Sequence, residues 1–200
     1  NDPHPERSSA LARGAETILE ERQKRWPDST PPIAPNRLEF LIGMLEMNAG
    51  HAAEAQQRFE RSIAKDEDPG ALLQLGLLLE RTGELDLAES RYRRALELTP
   101  GTSLPDELRR SEILEHMGDV ARARGDAAEM NARYRDALAA WSSARDQVEG
   151  PTGALVEMRR GVLLDQLGRH EEAVEAFEAA MTHAPQWRDV YATILSHLVS

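Results

Sequence analysis

The feature that most constrains this chain is a pair of glycines seven residues apart that recurs four times: Gly43 and Gly50, Gly76 and Gly83, Gly118 and Gly125, Gly161 and Gly168. The surrounding residues keep step. Five places past the second glycine stand Ala55, Ala88, Met130 and Ala173, and four places further Phe59, Tyr92, Tyr134 and Phe177. Three beyond each aromatic come Ser62, Ala95, Ala137 and Ala180. Leucine stripes at helical spacing, such as Leu72, Leu75 and Leu79 around Gly76, put the first glycine inside a helix. There it costs roughly 0.5–1 kcal/mol against alanine. A cost repeated at one place implies a repeated benefit, which we expect to be close approach of the partner helix's backbone. The second glycine falls where the chain turns into the next helix and is expected to take a positive φ.

Pro69–Pro100 is the clearest copy: leucine stripe, Leu75-Gly76, turn glycine, Ala88, Tyr92, Ala95 and closing Pro100. In that order of residues it resembles a tetratricopeptide repeat. Proline closes only two copies, at Pro100 and Pro185, and the family's opening tryptophan is replaced by Leu72 and Leu114 and by charged Glu39 and Glu157. The resemblance implies an all-α fold: a right-handed α-solenoid of antiparallel helix pairs, stabilised by the interfaces between neighbouring repeats. The repeats are placed at about 36–68, 69–102, 103–147 and 152–187, behind an N-terminal helix and Pro-rich connector at 1–35.

Composition fits. Aromatics are only 4% of the chain, so the core must come mainly from Leu and Ala, as in thin layers of paired helices. The net charge of -11 argues against a nucleic-acid backbone or an anionic membrane surface as the main partner. No apolar run reaches the ~18–20 residues a spanning helix needs. With no cysteine there is no disulfide framework and no thiolate chemistry. Cytoplasm is the favoured location, and periplasm is equally compatible with that composition.

In the N-terminal region, Ser8 or Ser9 is expected to cap a helix running to Trp26, with Leu11, Ala15, Ile18 and Leu19 as its apolar stripe. Pro27 ends it. The spacing between copies is 33 residues, then 42 and 43. Helix-forming residues dominate both additions, so the third repeat is predicted to have a first helix from Pro105 to Arg124 and a second running past Trp141 towards Gln147. Gly150-Pro151 is expected to stop it. After Pro185 a further first helix starts, with Val190, Ile194, Leu195 and Leu198 apolar; it is either a cap or the opening of a longer array.

Catalytic constellations are missing: there is no GxxxxGK[ST], GxGxxG, HExxH or GxSxG, and His170-Glu171-Glu172 has no second histidine at zinc-protease spacing. Glu112, Glu115, His116 and Asp119 share one helix face, a pattern compatible with a metal ion but commoner as a solvated surface. We expect no enzyme activity, no cofactor and no metal.

In the family, first helices line a groove that receives peptides or helices of other proteins. Its positional logic places Phe40, Met44 and Met47 there from copy one, and Leu73, Gln74 and Leu77 from copy two. Copy three supplies Glu112, Glu115, His116 and Asp119, and copy four Met158, Arg159 and Val162. Such a groove would be apolar at one end and acidic in the middle, suited to an amphipathic partner carrying Lys or Arg. Phe40, Met44 and Leu73 could instead cover the N-terminal helix. A family subgroup clamps C-terminal carboxylates with Lys and Asn. Phe40, Met44, Gln74, Glu112 and His116 hold those places here, and an acidic groove repels an acidic tail. The expected function is a protein-interaction scaffold. Alternatives are an accessory domain of a larger enzyme, signalling or secretion protein, and self-assembly through an exposed face of Val190, Ile194 and Leu198.

Overall fold

The computed structural model describes residues 5–26, 33–187 and 194. Nine α-helices and no strand occur among them: α1 Pro5–Arg25, α2 Pro35–Ala49, α3 Ala52–Lys65, α4 Pro69–Thr82, α5 Leu85–Leu98, α6 Leu104–Ala123, α7 Ala127–Arg145, α8 Gly150–Gln166 and α9 His170–His183. No described helix is long and apolar enough to cross a membrane. The chain forms two compact units divided between Leu98 and Thr99. In the first, α1 packs on α2, α2 pairs with α3, α3 packs on α4 and α4 pairs with α5. In the second, α6 pairs with α7, α7 packs on α8 and α8 pairs with α9.

Local chemistry explains the boundaries. Each of α2, α4, α6 and α8 carries a proline in its first turn, where the missing N–H has no intrahelical partner to lose. Asp68 and Asp126 cap α4 and α7 by accepting from the amides of Ala71 and Glu129, each at 3.0 Å. Between the helices of each pair, Gly50, Gly83, Gly125 and Gly168 have φ from 74° to 85°, as expected of the turn glycines.

The helical glycines do a different job from the one expected. What lies against them is a ring, not the backbone of the partner helix. A Cβ on Gly43 would sit 2.7 Å from Phe59 Cε1, and one on Gly76 would sit 2.4 Å from Tyr92 Cε1. At Gly118 and Gly161 the distances to the rings of Tyr134 and Phe177 are 2.4 Å and 2.5 Å. In every repeat, therefore, the aromatic of the second helix lies against the glycine of the first. All four rings are buried. Ser62, the one polar residue in its column, donates to the Asn36 carbonyl at 2.8 Å and is satisfied.

The charged openings are built rather than defective. Glu39 accepts from Arg58 at 3.1 Å and Lys65 at 2.9 Å, both on α3. Burial pushes its carboxyl up, but the hydrogen bonds and charges of Lys65 and Arg58 together outweigh this and hold it below the ordinary carboxylate range. Arg58 also reaches Glu16 on α1. Glu157 is almost wholly buried and paired with Arg145, at 2.7 Å, and with Arg160.

Several boundaries differ from expectation. Helix α1 begins at Pro5, ahead of Ser8 and Ser9. Leu11 and Ile18 of its apolar stripe are 57% and 67% exposed, so these two side chains stay outside the contact that α1 makes with α2; the Leu19 side chain lies outside the described residues. The long helices of the third repeat are present, although α7 stops at Arg145, short of Gln147. Gly150-Pro151 opens α8 instead of merely ending α7, because Pro151 is suited to the first helical turn. Ile194 is helical and 5% exposed, so its side chain is not offered to a second copy. Val190, Leu195 and Leu198 lie outside the described residues.

Candidate functional site

The second unit presents a continuous face made by the first helices of its two repeats. Along α6 the residues Pro105, Leu108, Glu112, Glu115, Asp119 and Arg122 recur at three- and four-residue steps, which aligns them on one side, with Arg109 next to Leu108 and four residues after Pro105. Leu155, Arg159, Val162 and Gln166 do the same on α8. Two hollows follow this face.

The first hollow, about 330 Å³, is lined by Pro105, Leu108, Arg109 and Glu112 of α6, by Leu155 and Arg159 of α8, and by Trp141 of α7. Among the described residues Glu112 has no ion-pair partner. The second, about 190 Å³, involves Glu115, Asp119, Arg122, Tyr134 and Val162. Between them Arg159 Nη1 reaches across from α8 to Glu115 Oε1 at 2.9 Å, while the Trp141 indole N–H donates to Glu115 Oε2 at 3.3 Å. Burial raises the Glu115 carboxyl above its usual range, more than the Arg159 charge lowers it. Asp119 accepts from the Tyr134 hydroxyl at 2.7 Å and from Arg122 at 2.8 Å. Burial, and then this hydrogen bond, push the Tyr134 phenol upward.

These contacts correct the expected acidic middle. Glu115 is buried and neutralised by Arg159, and Asp119 is neutralised by Arg122. His116 lies 3.6 Å from Asp119. The four-residue set is thus a salt-bridge network in which Glu115 and Asp119 are already engaged. Of the candidates, Glu112, Glu115, Asp119, Arg159 and Val162 line the two hollows, whereas His116 and Met158 are half-buried outside their linings.

In the first unit, Phe40 is half-buried, with its ring centroid 6.0 Å from that of Phe59 and the Arg37 guanidinium 4.9 Å above it. Met44, Met47, Gln74 and Leu77 are half-buried. Leu73 is 3% exposed and belongs to the core, so it cannot touch a partner as it stands. Residues not singled out beforehand complete the first hollow. Leu108 and Leu155 each lie one turn before a candidate, at Glu112 and Arg159, and Trp141 lies two turns after Tyr134, so the periodicity already carried the signal.

The raised carboxyl has a measurable consequence. A group whose folded pKa exceeds its unfolded value contributes stability that is fully present below the unfolded pKa and lost as pH rises through the folded one. Relative to Glu115→Gln, the wild type should therefore gain stability as pH falls from neutrality into the carboxylate range. Urea denaturation of both proteins across that window checks it, and the opposite slope would show that Arg159 dominates.

A tetratricopeptide repeat profile matches residues 40–102 and 122–186. No curated protein sequence matches the chain significantly. Among solved structures, the fold is similar to TTC0263, a thermophilic TPR protein of Thermus thermophilus (TM-score 0.61, 18% identity, covering 98% of this chain and 100% of that one). It is also similar to BtubC (BKLC) from P. vanneervenii (0.61, 17%, 92% and 74%). A third is YrrB, described as a TPR protein with an unusual peptide-binding site (0.55, 18%, 92% and 89%). With glycine–aromatic pairs in all four repeats and a profile match over most of its length, the chain belongs to the tetratricopeptide repeat family, whose helix pairs generally serve as protein-interaction scaffolds.

Proposed function

We propose that this protein is a non-catalytic interaction module that holds a peptide or helix of a partner protein against the α6/α8 face. The observation that carries this reading is the hollow walled by Leu108 and Leu155, with Trp141 among its lining residues and, at its side, the carboxylate of Glu112, unpaired among the described residues. Apolar walls give a partner's aliphatic or aromatic side chain somewhere to leave water, and a few placed polar groups orient it. The fitting partner is amphipathic, with one apolar anchor and a Lys or Arg near it to meet Glu112. A similar fold in a protein with a peptide-binding site supports this reading.

The test is affinity capture with wild type, Leu155→Glu and Glu112→Lys. Both side chains are partly exposed, and thermal melting checks that each variant keeps the fold. Interactors retained by wild type and lost at least tenfold in both variants are expected. Full retention by both variants would remove the groove from the account.

A further inference from the structure

A second pocket, independent of that groove, lies between α7 and α9 over α8. On α8 its residues are Arg160 and Leu164, roughly half a turn around from Leu155, Arg159 and Val162 and therefore on another side of the helix. It encloses about 260 Å³. Leu138 and Leu164 are buried beside it, and Arg135, Arg160 and Arg169 supply three guanidinium groups. Glu172 is its sole acidic lining residue.

We propose that this pocket receives an oxyanion presented by a partner polypeptide, a phosphorylated or carboxylate side chain. The three arginines are engaged to different degrees. Arg160 is held in place: its Nε donates to Ser142 Oγ at 3.1 Å and its Nη1 binds the buried Glu157. Arg169 is clamped by Glu172 through Nε at 2.7 Å and Nη2 at 2.6 Å. Arg135 has no partner among the described residues. A pre-positioned guanidinium, an unengaged one and a third held by an exposed carboxylate form a receptor for a planar or tetrahedral anion, which arginine binds through paired N–H donors. Apolar walls concentrate the field of such a cluster.

This positive pocket stands in a chain of net charge -11. An extended anionic surface, whether membrane or nucleic acid, is repelled by that total charge, whereas a single anionic side chain on a flexible segment can enter alone. Glu172 acts as the built-in competitor. An incoming anion must take Arg169 from it, so neutralising Glu172 should strengthen binding.

The experiment is an amide NMR titration of the whole chain with inorganic phosphate, a phosphoserine peptide, the same peptide with glutamate in place of phosphoserine, and phosphatidylserine vesicles. Shifts confined to Ala139, Ser142 and Arg169 are expected. Binding should weaken at least tenfold in Arg135→Glu and tighten at least threefold in Glu172→Gln. Both substitutions are on exposed residues, and unchanged spectra elsewhere confirm the fold. Preference for the phosphoserine peptide assigns a phosphomonoester, and equal binding of both peptides assigns any carboxylate-sized anion. No localised shift, indifference to Arg135→Glu, or binding to vesicles alone overturns the proposal.

Discussion

Truncating Tyr134 to alanine is expected to destabilise the protein by about 3–5 kcal/mol, within the range for emptying a large aromatic site in a core. The ring is 2% exposed and lies on Gly118, and its hydroxyl donates to Asp119 at 2.7 Å, so the substitution removes packing and leaves a part-buried acceptor short of one donor. The reciprocal change is informative. A methyl on Gly118 would stand 2.4 Å from both Cδ1 and Cε1 of that ring, which the chain can relieve only by moving an anchored, buried side chain. Gly118→Ala should therefore cost about 1–3 kcal/mol despite alanine's better helix propensity. The double variant should cost less than the sum of the two, because removing the ring frees the space that the methyl needs. Neighbouring residues of this kind couple by about 0.5–3 kcal/mol. Denaturant melts of the four proteins read the coupling directly.

Glu157→Ala is the second large effect. The carboxylate is 1% exposed and paired with Arg145 from α7 and Arg160 from its own helix. Removing one partner of a buried pair leaves uncompensated charge and typically costs about 3–5 kcal/mol. Arg145 is half exposed and can turn to water, whereas the Arg160 side chain is only 15% exposed and cannot easily do so. Replacing the network is a different matter from breaking it. Leu72 and Leu114 occupy the same column in the second and third repeats, so leucine fits the backbone there. Glu157→Leu combined with Arg160→Met should recover most of the loss, since a well-packed apolar substitute for a buried ion pair is often neutral or stabilising. Thermal melts of the single and double variants provide the check.

These two sites also show what can be read from sequence and what cannot. Gly118 and Tyr134 announced themselves through strict phasing, because a repeated fold repeats its steric demand. The nature of that demand stayed hidden, since a ring and a backbone both require a small residue opposite them. Glu157 looked like a departure from the repeat because its partner Arg145 lies on the preceding helix, and no local pattern links the two. Glu39 is similar, with Arg58 and Lys65 about five and seven turns along the chain on the partner helix.

Helix α1 shows the limit from the other side. It packs on α2, yet Leu11 and Ile18 stay exposed, because an amphipathic pattern does not say which of its residues a neighbour will cover. At the expected groove, positional logic did not resolve which side each named residue turns to. Leu73 and Glu115 are turned inward, while Leu108 and Leu155, one turn from named residues, wall the hollow.

The α6/α8 face is the centre of the functional account, and photo-crosslinking tests it most directly. A benzophenone amino acid placed at Leu155 reports what sits over the first hollow, and the same group at exposed Glu175 on α9 serves as the control. The account predicts a discrete protein adduct from position 155, absent from position 175 and abolished by Leu108→Glu. Equal adducts from both positions, or none from 155 under conditions where partners are captured, would contradict it.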